Sequence, residues 1–124
     1  MSGINEIPTL SLAFLGDAVL ELFVREKLVE LGFSVGKLNE LKVKYVSATS
    51  QAAAVKELMT VFTEQEQDVF SRGRNAKTNS GAKNAKLADY KQATGLEAVF
   101  GYLHITGNTK REQELFTLFW NAIS

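Results

Sequence analysis

The sequence predicts an all-α fold. Apolar residues recur at helical spacing along almost the whole chain, a capping box precedes one such stretch, and no Val/Ile-rich run bounded by turns is present to form a strand. At 124 residues, with 45% hydrophobic and 23% charged side chains, the chain suits one soluble domain spanning residues 1–124. That composition excludes collagen-like chains and wholesale disorder, and the absence of cysteine excludes a disulfide scaffold.

Each element has a local reason. Pro8 fits a first helical turn, and from Leu10 to Leu31 apolar residues recur without alternation until Gly32 offers a C-terminal stop. Phe33-Ser34-Val35-Gly36 reads as a turn, after which Leu38, Leu41, Val43 and Tyr45 suggest a second helix. Ser47 or Thr49 can cap a third, running through Ala52-Ala53-Ala54-Val55 to Met59. Thr63-Glu64-Gln65-Glu66 is the capping box of a fourth helix. Gly73 to Asn84 holds two Gly, three Asn and a Ser, a loop composition. Helical spacing returns from Leu87 to Ile105, Gly107-Asn108 ends it, and Thr109 can cap a final helix through Phe119.

The expected compartment is cytoplasmic, with no membrane partner. Ser2-Gly3-Ile4-Asn5-Glu6 is polar and acidic, unlike a secretory leader, and Asp17, Glu21 and Arg25 interrupt the longest apolar stretch. The lack of cysteine fits a reducing environment and removes thiolate chemistry.

Three features exceed a plain helical reading. First, Leu12-Ala13-Phe14-Leu15-Gly16-Asp17-Ala18-Val19-Leu20 is apolar around nearly its whole circumference, which asks for burial on more than one side. It encloses a mid-helix glycine, which calls for a close helix approach, and a carboxylate that needs a partner. Asp17 either faces a wet groove, pairs with Arg or Lys, or serves a metal. Second, Glu97 in Thr94-Gly95-Leu96-Glu97-Ala98-Val99-Phe100-Gly101 repeats that oddity; two such acids brought together would suit Mg²⁺, with no need of His or Cys. His104, the sole histidine, reads as a partly buried packing residue. Third, the zero net charge hides a segregation. Arg72, Arg74, Lys77, Lys83 and Lys86 fall in fifteen residues without an acid, leaving the remainder of the chain acidic. The segment is either a solvated loop or a phosphate-binding one, its Asn, Ser, Thr and Gly residues suiting contact with phosphate oxygens.

Phe14-Leu15-Gly16-Asp17-Ala18-Val19-Leu20 resembles the signature helix of the ribonuclease III endonuclease family, and Glu97-Ala98-Val99-Phe100-Gly101 resembles its second acidic motif. Leu41-Lys42-Val43-Lys44-Tyr45-Val46-Ser47 and Arg72-Gly73 fall where that domain has similar segments, so the resemblance runs from about Leu10 to Phe119. Arg72-Gly73-Arg74-Asn75-Ala76-Lys77, with no double-stranded-RNA-binding domain following, resembles the short Mini-ribonuclease III branch. The resemblance implies the homodimeric helical fold of the ribonuclease III endonuclease domain. It also implies Mg²⁺-dependent hydrolysis of double-stranded RNA to 5′-phosphate ends, with Mn²⁺ able to substitute and precursor large-subunit (23S) ribosomal RNA as substrate. Asp17 and Glu97 are then the catalytic and metal-holding residues.

Standard members carry four acids per site, whereas here Ala13 and Thr94 stand one turn before Asp17 and Glu97 on the same helix faces. Glu21 and Thr94 are auxiliary candidates. Candidate RNA contacts are Arg72, Arg74, Asn75, Lys77, Lys83 and Lys86, with Lys42 and Lys44 as weaker ones. Two rivals keep the fold and change the function: a non-catalytic RNA-binding ribosome-assembly factor, favoured by the reduced acid count, and a helical protein-interaction module.

Overall fold

The computed structural model describes residues 6–77 and 85–124. Among these, six helices follow one another: α1 (Thr9–Glu30), α2 (Val35–Val46), α3 (Ala48–Leu58), α4 (Glu64–Asn75), α5 (Ala85–Ile105) and α6 (Thr109–Ile123). The all-α expectation holds, and no strand occurs among the described residues.

Several boundaries move for physical reasons. The turn after α1 is narrower than expected: Gly32 takes a positive φ of 80°, and α2 already begins at Val35, with Ser34 at its N-cap. Ser47, not Thr49, caps α3, its side chain accepting from the Ser50 N–H. Thr63 and Glu66 form the expected reciprocal capping box of α4. The expected loop from Gly73 is shorter, because α4 continues to Asn75; residues 78–84 lie outside the described residues. Asn108, not Thr109, caps α6 by accepting from the Arg111 N–H.

Helix α5 is the axis of the molecule. It packs against α1, α3, α4 and α6, and Leu96, Ala98, Val99 and Phe100 are fully buried along it. Where α1 crosses it there are glycines on both helices. A Cβ on Gly16 would lie 1.6 Å from the carbonyl oxygen of Glu97, and one on Gly101 would lie 1.9 Å from that of Leu12. Only two bare backbones can approach this closely, which answers the mid-helix glycine of α1. Gly73 is a second such contact, where a Cβ would meet the Gly95 Cα at 3.0 Å; packing of α4 on α5 thus overrides the loop character of that stretch.

Two polar devices hold the periphery. Arg111 of α6 grips Glu66 through two hydrogen bonds of 2.9 Å and donates a third, of 2.7 Å, to the Val61 carbonyl. Burial pushes the Glu66 carboxyl up, but the bonds from Arg111 and Thr63 outweigh it and hold the group below its ordinary range. At the other end of α6, Trp120 stacks on Tyr45 of α2 at 3.9 Å, and the Tyr45 hydroxyl is hydrogen-bonded to Ser124 at 2.6 Å.

The second side of α1 that the sequence expects to be buried is open in the single chain. Leu12, Gly16, Val19, Leu20, Val24 and Leu28 face the core, but Leu10, Phe14, Leu22 and Val29 form an exposed apolar stripe on the other side, Phe14 being 84% exposed.

Candidate active site

The glycine crossing brings the two unusual acids together. Asp17 directly follows Gly16 on α1, and Glu97 lies one turn before Gly101 on α5, so the contact that excludes side chains at the glycines places the carboxyls next to each other. Asp17 is exposed at the edge of the α1 core face, and it has no Arg or Lys ion pair among the described residues. Of the readings open from sequence, the wet groove and the metal site agree with this exposure. Glu97 is recessed beside it. Burial pushes the Glu97 carboxyl up to about 8; a hydrogen bond from Gln51 opposes this, and the charge and hydrogen bond of Asp17 add to it.

The remaining predicted residues divide. Ala13 is buried, and buried Thr94 donates its hydroxyl to the Tyr90 carbonyl at 2.9 Å, directing its proton back into α5. Glu21 is engaged elsewhere, in ion pairs with Arg25 at 3.1 Å and Lys42 at 4.0 Å. His104 is half exposed and lies 3.4 Å from Glu112, a correction to its expected packing role: the last turn of α5 faces solvent on that side.

The basic segment is only partly a loop. Arg72 and Arg74 stand on the last turn of α4, where cations suit the helix dipole. Arg72 pairs with Asp68 at 3.1 Å; Arg74 lies over the Phe70 ring at 5.7 Å and donates to Asn75. Lys77 and Lys86 are exposed on either side of the residues that are not described, among which Lys83 falls. Lys44 is exposed over the Tyr45 ring.

One residue at the site escaped the sequence reading. Gln51 of α3 is 2% exposed and donates to Glu97 at 3.2 Å. The available signal was its register, since Gln51, Ala54, Val55 and Leu58 share the face that α3 turns to the core.

Residues 10–108 of this helical fold, which include the glycine crossing and both acids, match the Ribonuclease III domain model. The chain is 49% identical over 110 residues to Mini-ribonuclease 3 of Symbiobacterium thermophilum, covering 88% of this chain and 85% of that one. Mini-ribonuclease 3 of Staphylococcus aureus is 43% identical over 118 residues, covering 93% and 86%. A crystal structure of a protein from Fusobacterium nucleatum superimposes with a TM-score of 0.86 at 26% identity, covering 98% of each chain. The chain belongs to the ribonuclease III family, an endoribonuclease family, and within it to the Mini-ribonuclease 3 branch.

Proposed function

We propose that this chain is a Mg²⁺-dependent endoribonuclease that cuts double-stranded RNA, with Asp17 and Glu97 as its catalytic and metal-holding carboxylates. The observation that carries the reading is their apposition at the α1–α5 crossing, where burial and the like charge of Asp17 disfavour an ionised Glu97 in the absence of a cation.

The donor set fits the ion. Two carboxylates, with no cluster of three His, Cys, Asp or Glu among the described residues, match Mg²⁺, which takes one or two carboxylates and keeps its other positions for water and phosphate. Mn²⁺ can take its place. When bound, the ion supplies Lewis-acid stabilisation of phosphate charge and lowers the pKa of water. The protein's own part is positional: the exposed Asp17 stands at the surface where a phosphodiester can reach, and the recessed Glu97 forms the floor. The products are 5′-phosphate and 3′-hydroxyl ends.

Arg72, Arg74, Asn75, Lys77, Lys83 and Lys86, with smaller parts for Lys42 and Lys44, provide phosphate contacts to the duplex, whose deep major groove hides its base edges. The exposed stripe of Leu10, Phe14, Leu22 and Val29 supports a homodimer, in which each copy cuts one strand. The cellular substrate in this reading is precursor 23S ribosomal RNA in the cytoplasm.

The test is incubation of the purified chain with duplex RNA in Mg²⁺ or EDTA. We expect Mg²⁺-dependent cutting that Asp17→Asn and Glu97→Gln each reduce by at least about 100-fold, the scale of losing a principal electrostatic group. RNA bound but intact in every condition would instead support the non-catalytic ribosome-assembly factor.

A further inference from the structure

Gln51 is a polar residue on an otherwise apolar face of α3. Its neighbours on the same face of α3, Ala54, Val55 and Leu58, are buried and apolar. Its Nε2 donates to the Val46 carbonyl at 3.0 Å and to Glu97 Oε2 at 3.2 Å, while its Oε1 is buried with no hydrogen-bond partner among the described residues. An unpaired buried carbonyl is unfavourable, so the bond to Val46 alone brings a cost that an apolar residue would not carry at Oε1.

The orientation of the amide is fixed. Val46 closes α2, and a helix's last carbonyls lack intrahelical donors. A carbonyl only accepts, so the nitrogen end of Gln51 must face it; the reversed amide would set oxygen against oxygen. The same nitrogen carries the second proton that reaches Glu97. A neutral donor is the one kind of group that can hold this carboxylate without competing for it. Lys or Arg would neutralise Glu97 and occupy the place of a cation, and an acid would add a third like charge.

We propose that Gln51 is a positioning residue, keyed by the Val46 carbonyl, that steadies Glu97 through Oε2 and leaves its remaining lone pairs directed to a divalent cation shared with Asp17. The inference rests on Asp17 and Glu97 being the cation ligands. Partners of this kind orient a ligand and support its affinity for the metal, and their loss weakens binding about 10–100-fold.

The test uses Gln51→Met, which keeps length and removes the amide. Mn²⁺ binding to the full-length protein without RNA, read by electron paramagnetic resonance, should weaken at least about 10-fold. The melting temperature should change little, because the substitution removes the orphaned oxygen while leaving the Val46 carbonyl without its donor. In cleavage assays at fixed metal, kcat should fall while KM for duplex RNA stays unchanged. A second measurement needs no variant at this position: the Gln51 side-chain amide resonance in the native protein should shift on Mg²⁺ addition and stay still in Glu97→Gln. Native Mn²⁺ affinity and kcat in Gln51→Met, or an amide resonance indifferent to Mg²⁺, overturns the positioning role. If the native protein binds no Mn²⁺ and cuts no RNA, the reading of Asp17 and Glu97 falls and this role falls with it. If it does both and Glu97→Gln abolishes both while Gln51→Met changes neither, only the role of Gln51 falls.

Discussion

Helices α1 and α5 are close in length and similarly rich in apolar residues, yet the fold treats them differently. α5 is enclosed by α1, α3, α4 and α6, and Leu96, Val99 and Phe100 see no solvent. α1 presents one face to the same core and turns Leu10, Phe14, Leu22 and Val29 outward. Apolar residues around the whole of a helix thus report how much burial it calls for, and do not say whether the same chain provides it. The two acids follow this division: Glu97 comes from the enclosed helix and is recessed, whereas Asp17 comes from the half-open helix and is exposed.

Three measurements sharpen the contrast. The largest effect is expected from Phe100→Ala on α5, which removes a fully buried ring and should lower unfolding free energy by about 3–5 kcal/mol in chemical denaturation. A much smaller loss would mean that α5 is less enclosed than its burial indicates.

The second concerns Glu97 in metal-free protein. Its carboxyl is raised from 4.5 to about 8, so the folded state holds this proton more tightly than the unfolded chain. Ionising it weakens the fold progressively as pH rises from 4.5 towards 8. Glu97→Gln should therefore match the native protein near pH 4 and exceed it by a few kcal/mol at pH 8, a gain that Mg²⁺ should erase by stabilising the native protein alone. Parallel stability curves for the two proteins would refute the raised pKa.

The smallest effect on the fold belongs to Phe14→Arg. With the ring 84% exposed, the change should alter the monomer's stability by no more than about 0.5 kcal/mol. In sedimentation, the same substitution should convert a dimer to a monomer at micromolar concentration. A native protein that sediments as a monomer would leave the α1 stripe unexplained and count against paired sites.

Much of this was legible from local chemistry. The Thr63–Glu66 capping box, the Gly32 stop and the long apolar helices are decided by neighbours in sequence, and they appear in the structure with small shifts. Gly16 and Asp17 stood out because each violates the expectations of its own helix, and the violation pointed to a partner. What stayed hidden depends on contacts between residues far apart in the chain. Gln51 meets Glu97 across 46 positions, and Arg111 meets Glu66 across 45; neither pair leaves a local trace. Gly73 misled for the opposite reason, its residue type suggesting a turn where tertiary packing required a bare backbone.

The interlocked glycines at the α1–α5 crossing also act as a fulcrum. Backbones in contact there can tilt about the crossing far more easily than they can slide through it, and displacement then grows with distance along the lever arm. Asp17 sits one residue from that pivot, about 1.5 Å along the axis, so a tilt of about 5° moves it by roughly 0.1 Å. The same tilt swings Glu30, about 21 Å away along α1, by nearly 2 Å. Tilting about this crossing would therefore displace the far end of α1 much more than the backbone of Asp17.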